Sequence, residues 1–339
     1  MDKTSMRAIG LFRLGAPDLF EECVLPVPAP GASDLLVRVR AAALNPVDAK
    51  IRSGAGTSGS KPSTVVSDPP LVLGFDACGI VEAVGSEARG FAIGDRVWYA
   101  GVTGRAGSYA QFQTVDHRIV AKAPAKLSDE DAATYPLVSL TAWESLFEQL
   151  DAGRATGKHL LVTGGAGGVG SIAVPLAAKV MGLHVVATAS RPESRDWCLA
   201  RGAHEVIDHA RPLKEQLVRA PDFILHTGPD SMVRELVDLV APLGRICVIA
   251  GGPALASLDV LPLIPKRAGI VFEMMFARAR LGLEPEKQGR ILSQVADLAD
   301  AGLLPSPRTR TIRWTDVAAG HAALESRRVV GKIALEIPA

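Results

Sequence analysis

The chain has 339 residues, 48% hydrophobic and 22% charged, with 37 Lys and Arg against 36 Asp and Glu. Such a length and composition predict a soluble globular protein of about two domains, and a formal net charge of +1 offers no strongly basic face for nucleic acid. Cys23, Cys78, Cys198 and Cys247 are scattered without a CxxC pair, which argues against a zinc knuckle or redox dithiol and suits a reducing compartment. MDKTSMRAIGLF at the N-terminus lacks a long apolar core, and no 18-residue uncharged apolar span occurs. The expectation is a cytoplasmic chain without a membrane anchor.

Along the first third, MRAIGLF, DLLVRVRAAAL, GIVEAVG, DRVWYA and SYAQFQTVD are short apolar or alternating runs punctuated by Gly, Pro, Asn and Asp, which predicts strands. RSGAGTSGSKPSTVVSDPP (52–70) is Gly-, Ser- and Pro-rich and predicts a surface loop. From about residue 128 the rhythm changes. SDEDAATYPLVSLTAWESLFEQL opens with a Ser cap and an acidic first turn and predicts a helix. LLVTG, HVVATAS, EVIDH, DFILHTG and RICVIAG then alternate as strands with the helical VGSIAVPLAAKVMG, ESRDWCLARG and SMVRELVDLVAPLG. That alternation predicts βαβ units and a parallel sheet. The tail mixes GIVFEMMF (269–276), the helix EKQGRILSQVADLADAG, a strand near TRTIRW, the helix TDVAAGHAALES and a last strand GKIALEI. A β-rich front, an α/β middle and a tail that resumes the front predict one domain inserted within another: 1–125 and 275–339 around 126–274.

Gly165, Ala166, Gly167, Gly168, Val169 and Gly170 spell G-x-G-x-x-G between an apolar strand and an apolar helix, the context a dinucleotide-binding loop needs. Its glycines permit a tight turn, close approach of backbone to a pyrophosphate and close helix–strand packing, and the helix N-terminus favours phosphate. An NAD site carries Asp or Glu about 20 residues on, bonding the ribose 2′-OH. Here that place holds Ser190, with Arg191, Ser194 and Arg195 after it. Guanidinium and hydroxyl donors suit a 2′-phosphate, so the expected cofactor is NADPH.

Together with AAALNPVDAKIRSG (41–54), LGFDACGIVEAVGSEARGFAIGDRV (73–97) and VVGKIAL (329–335), these residues resemble the medium-chain dehydrogenase/reductase superfamily. The resemblance is to its quinone oxidoreductase branch, especially the proteins called zinc-type alcohol dehydrogenase-like. It implies an α/β fold: a Rossmann doubly wound parallel sheet inserted in a GroES-like β-rich catalytic domain, with the active site in the cleft between them. It also implies Asn45 and Thr141 near the nicotinamide as the candidate catalytic residues, with Asn45 a candidate donor to the developing enolate oxygen, Lys332 near the cofactor, and His209 beside the adenosine phosphate. Asp48 and Asp76 are expected to fix local structure, and His184 and His321 to be structural or solvated. The strand in GIVFEMMF is expected to pair across a two-fold axis in a homodimer, since an apolar edge left open is a liability.

Zinc alcohol dehydrogenases of the superfamily hold catalytic zinc with a Cys where this chain has Asn45, and with a Gly-His-Glu where it has Gly74, Phe75 and Asp76. Residues 90–116 contain no cysteine for a structural-zinc lobe. Metal is therefore expected to be absent, and the expected activity is zinc-independent transfer of hydride from NADPH to quinones or α,β-unsaturated carbonyls. Such acceptors are already electrophilic and need less than a Lewis acid supplies. A competing reading is an NADPH-binding sensor, structural or RNA-binding protein with little turnover, because fold does not determine function. The zinc alcohol dehydrogenase reading is disfavoured by the missing ligands.

Overall fold

The structure is a computed structural model that describes residues 4–55, 69–154, 157–249 and 251–339. Most of the loop expected at 52–70 lies outside the described residues. Two compact units divide the chain: Met1–Leu137, Phe276–Asp300 and Ser306–Ala339 form the first, Val138–Met275 and Ala301–Pro305 the second.

Eight strands open the first unit: β1 (Ser5–Leu11), β2 (Phe20–Pro26), β3 (Asp34–Ala43), β4 (Leu71–Val72), β5 (Asp76–Val84), β6 (Arg96–Ala100), β7 (Phe112–Asp116) and β8 (Val120–Lys122). The second unit contributes β9 (His159–Thr163), β10 (His184–Thr188), β11 (Glu205–Ile207), β12 (Phe223–His226), β13 (Arg245–Val248) and β14 (Gly269–Phe272). The chain then returns to the first unit with β15 (Arg308–Arg313) and β16 (Lys332–Glu336).

In the first unit β1 lies between β2 and β4, and a seven-stranded sheet runs β15-β16-β3-β5-β6-β8 with β7 on β3. Along β3 the side chains alternate: Leu35, Val37 and Val39 are buried and the intervening ones half-buried, as one core-facing side requires. From Ala41 to Ala43 every residue is buried, so the end of β3 is covered on both faces. That covered end leads directly into Asn45.

The second unit's sheet is parallel throughout, in the order β11-β10-β9-β12-β13-β14. Leu160, Leu161, Val185, Ile224, Leu225, Ile246 and Cys247 are fully buried, the near-continuous apolar pattern of strands covered on both faces. Strand order reverses between β9 and β12. Crevices of this kind, outside the carboxyl ends of the strands, are where α/β sheets bind nucleotides.

Residues 126–137 pack with the first unit, although the change of rhythm in the sequence places them with the second. Arg96 explains why: its Nε donates to Asp129 Oδ1 at 2.7 Å and its Nη atoms to the carbonyls of Pro124 and Leu127 at 2.7 and 2.9 Å. Arg308 likewise holds Asp131 at 2.8 Å. The expected single helix over 128–150 is broken into Asp129–Ala133, Pro136–Trp143 and a wider turn over Glu144–Gln149. Pro136 lacks an N–H and disfavours helical backbone at Tyr135, which ends the first piece.

Candidate functional site

The glycine loop is built by β9, whose apolar run delivers the chain to Gly164 in left-handed backbone, φ 66°. Gly164 N–H donates to Thr188 Oγ1 at 3.0 Å, pinning the turn to β10. A Cβ on Gly165 would lie 2.7 Å from the Ala187 Cβ, and one on Gly170 would lie 2.4 Å from the Gly165 carbonyl oxygen. Both glycines are thus required for the loop and the helix Gly168–Pro175 to press together. Gly167 is the N-cap of that helix, leaving the N–H groups of Gly168, Val169 and Gly170 without intrahelical partners. Ser171 Oγ donates to the Gly167 carbonyl at 2.8 Å and accepts from Trp197 Nε1 at 2.9 Å, tying the loop to the next helix. This cradle fits a pyrophosphate.

Ser190 is exposed just past β10, and Arg191 and Arg195 are half-buried. Arg191 is the N-cap of the helix Pro192–Ala200. Ser194, by contrast, is spent on the cap: its Oγ accepts from Arg191 N at 3.2 Å and donates to Arg191 O at 2.9 Å. His209 is exposed in the turn after β11. β10 and β11 are in register at Thr188 and Ile207, so Ser190 and His209 leave the same edge of the sheet, the edge that carries the glycine loop. Thr141 is 5% exposed in the helix Pro136–Trp143, and Glu273, just past β14, is 4% exposed. Sequence reasoning passed over Glu273; its one signal was a lone acid inside the apolar run GIVFEMMF.

The first unit gathers a second cluster. β16 and β5 flank β3, which brings Lys332, Asn45 and Asp76 together at the covered end of the sheet. Lys332 Nζ donates to Asn45 Oδ1 at 2.5 Å, Asp76 Oδ2 at 2.8 Å and the Leu44 carbonyl at 2.9 Å. An ammonium has three donors, and all three are used. Asn45 Nδ2 donates to Asp76 Oδ2 at 2.9 Å and more weakly to Ala43 O at 3.4 Å. Asp76 Oδ1 accepts from Leu137 N at 2.7 Å. Asn45 and Asp76 are fully buried and Lys332 is 3% exposed.

Asn45 also opens the helix Pro46–Arg52, and its N–H donates to Asp48 Oδ2 at 2.8 Å. Asp48 further accepts from Gly74 N at 3.2 Å. Burial pushes the Asp48 carboxyl up to about 7, against the pull of the Asn45 N–H and the nearby Lys332 ammonium. Tyr109 Oη lies 3.3 Å from His321 Nε2, and burial drives His321 down to about 3, so this imidazole is neutral. His184, the other expected structural histidine, bonds Glu205 at 2.8 Å.

Family models match residues 31–125, an alcohol dehydrogenase GroES-like domain, and 201–335, a zinc-binding dehydrogenase. A zinc-type alcohol dehydrogenase-like protein of Staphylococcus epidermidis is 34% identical, covering 98% of this chain and 100% of its own. The chain belongs to the medium-chain dehydrogenase/reductase superfamily. As a member of that superfamily it is an oxidoreductase. Among solved structures it is similar to a protein of Rhizobium etli CFN 42 described as a zinc-dependent alcohol dehydrogenase, with a TM-score of 0.91 and 38% identity over 99% of both chains. It is similar to the quinone oxidoreductase of Coxiella burnetii, with a TM-score of 0.82 and 25% identity over 98% of this chain and 100% of that one. A mycobacterial protein solved in complex with NADPH matches with a TM-score of 0.82 and 25% identity over 98% and 99%.

Zinc is in the name of the superfamily's dehydrogenase model, and the residues here do not fit it. Zinc takes thiolate, imidazole or carboxylate ligands at about 2.0–2.3 Å. Asn45 offers an amide oxygen, and Phe75 a phenyl ring packed on Phe276 with centroids 4.6 Å apart. The Lys332 ammonium already lies on Asn45 and Asp76. No group of three His, Cys, Asp or Glu among the described residues could hold a metal ion.

Proposed function

We propose that this oxidoreductase is a zinc-independent, NADPH-dependent reductase of quinones or α,β-unsaturated carbonyls. The observation that carries the reading is an intact dinucleotide cradle in a chain whose metal-ligand positions hold Asn45 and Phe75, with a lysine ammonium between Asn45 and Asp76. Bound NADPH supplies the hydride. Gly165, Gly167 and Gly170 admit its pyrophosphate to the N–H groups at the helix N-terminus. Ser190, Arg191 and Arg195 hold the 2′-phosphate, His209 stands beside the adenosine phosphate, and Thr141 meets the nicotinamide. Conjugation in the acceptor spreads the incoming charge, so the protein's task is to bind and orient, and solvent returns the proton. Asn45 serves here by holding Lys332 and Asp76 in place, since its amide is already bonded on both sides.

A panel of quinones, enones and simple alcohols, assayed with NADPH and NADH, tests the reading. Quinones or enones should be reduced with NADPH, ethanol should not be oxidised, and elemental analysis should find less than one zinc per ten chains. Ethanol oxidation with every quinone inert, or activity lost on chelating a tightly held zinc, would sink it.

Cofactor choice gives a sharper result. Hydrogen bonds to charged groups contribute roughly 1.5–3 kcal/mol each, so Arg191→Ala should weaken NADPH about ten- to a hundredfold while sparing NADH. Equal losses for both cofactors in a fluorescence titration would remove Arg191 from the 2′-phosphate site.

The proposal extends to a cytoplasmic homodimer. No helix among the described residues is long and apolar enough to cross a membrane. β14 is an edge strand, and Phe272 on it is 60% exposed. Pairing of Gly269–Phe272 with a second copy would cover that edge. Light scattering should give twice the chain mass for the wild type and a larger monomer fraction for Phe272→Glu. A monomeric wild type at micromolar concentration would refute the dimer.

A further inference from the structure

Strand order in the second unit reverses between β9 and β12, and these two strands end level, with Thr163 opposite His226. β9 runs on into the glycine loop, and β12 into Thr227, Gly228 and Pro229. The two loops touch: a Cβ on Gly164 would lie 2.6 Å from Thr227 Oγ1. Thr227 and Gly228 are half-buried and Pro229 is exposed, so the loop after β12 lines the crevice at the point of reversal. A dinucleotide in this topology spans the carboxyl ends of the strands, with its pyrophosphate over the loop of the first. Ser190 and Arg191 place the adenosine half over β10, which leaves the β12 side for the nicotinamide half.

Hydrogen bonds tie this loop to β9. Thr227 N–H donates to Thr163 Oγ1 at 3.0 Å, and Thr227 Oγ1 donates to the Thr163 carbonyl at 2.6 Å. Thr163 Oγ1 lies 2.8 Å from His226 Nδ1, and His226 Nε2 lies 3.1 Å from the Pro229 carbonyl. A carbonyl only accepts, so Nε2 carries the imidazole hydrogen. His226 is fully buried, and burial lowers its affinity for a second proton, against the pull of the Pro229 carbonyl and the Asp230 carboxylate. Nδ1 is then a bare acceptor, and the Thr163 hydroxyl donates to it. A threonine hydroxyl has one hydrogen and two lone pairs; with the hydrogen spent on His226, a lone pair is fixed toward Thr227 N–H. The Pro229 carbonyl has a second donor in Met232 N–H at 3.0 Å, so what His226 alone supplies is the acceptor for Thr163.

We propose that His226 is a positioning residue, which latches the Thr227–Pro229 loop to β9 through Thr163 as a fixed wall for the nicotinamide half of the cofactor. The inference rests on the NADPH reading above and deepens it at one end of the cofactor.

Two ligands test it: NADPH, and adenosine 2′,5′-bisphosphate, which stops at the first phosphate. His226→Leu fills the space without an acceptor, and Thr163→Val keeps the shape without the hydroxyl. Each should raise the Kd for NADPH about tenfold and leave that for the bisphosphate within about twofold of wild type. The double variant should be no worse than either single one, because both residues act through the same bond to Thr227 N–H. Thr163→Ser returns the hydroxyl, and His226→Asn sets an amide oxygen as acceptor on the same side-chain branch. Both should bind NADPH within about threefold of wild type. Should His226→Leu not fold, Thr163→Val, Thr163→Ser and His226→Asn carry the same comparison. The inference falls if Thr163→Val binds NADPH like wild type, if it weakens both ligands equally, or if Thr163→Ser and His226→Asn are as weak as Thr163→Val. A wild type that binds neither ligand overturns the NADPH reading itself, and this inference with it.

Discussion

Lys332→Met should lower the stability of the protein by about 3–5 kcal/mol, the range for removing one partner of a buried ion pair. The ammonium is 3% exposed and bonds Asn45 Oδ1, Asp76 Oδ2 and Leu44 O. Methionine fills much of the same volume, so the loss measures the charge and its hydrogen bonds more than a cavity. Asp76 would be left as a buried carboxylate facing only the Asn45 amide and the Leu137 N–H. Urea denaturation followed by circular dichroism reads the effect directly. Adding Asp76→Asn to Lys332→Met should recover part of the loss by removing the stranded charge. A single-variant loss under about 1 kcal/mol would mean that water reaches the cluster and screens it. The same measurement bears on mechanism, because a lysine this tightly held has no donor to spare for a cofactor.

Two glycines of the loop should fail in different ways. A Cβ on Gly167 would meet only the Gly164 carbonyl oxygen, at 3.3 Å, and a small shift relieves it. Gly167→Ala should therefore melt within a degree or two of wild type while losing about a hundredfold in NADPH affinity, since the added methyl stands where the pyrophosphate must approach. On Gly170 the Cβ would lie 2.4 Å from the Gly165 carbonyl oxygen and 2.6 Å from its Cα. Gly170→Ala should lower both the melting temperature and the affinity, because the helix can no longer lie against the loop. Scanning calorimetry and a fluorescence titration on each variant separate the two. Gly167→Ala binding NADPH within threefold of wild type would show that this loop does not cradle a pyrophosphate.

The glycine loop was legible because everything it needs lies within a few residues: an apolar strand, a left-handed turn at Gly164, and a helix whose first N–H groups are open. The parallel sheet was legible for a similar reason, since alternating β and α patterns leave few other ways to bury both faces of the strands. Ser190 and the arginines after it could be read from their distance to the loop, because the length of a βα unit sets where the second strand ends. Other features depend on contacts that no local pattern announces. Lys332 and Asn45 are 287 positions apart, and only the placement of β16 and β5 on either side of β3 joins them with Asp76. The resemblance set Lys332 near the cofactor; the tertiary structure shows its ammonium bonded to three protein oxygens. Residues 126–137 were drawn into the first unit by Arg96 and Arg308, which reach their acids from distant strands. Local chemistry decided what each segment could become. The sheet register and the burial that follows from it decided which polar groups meet, because a charge away from water takes whatever partner the fold puts within reach.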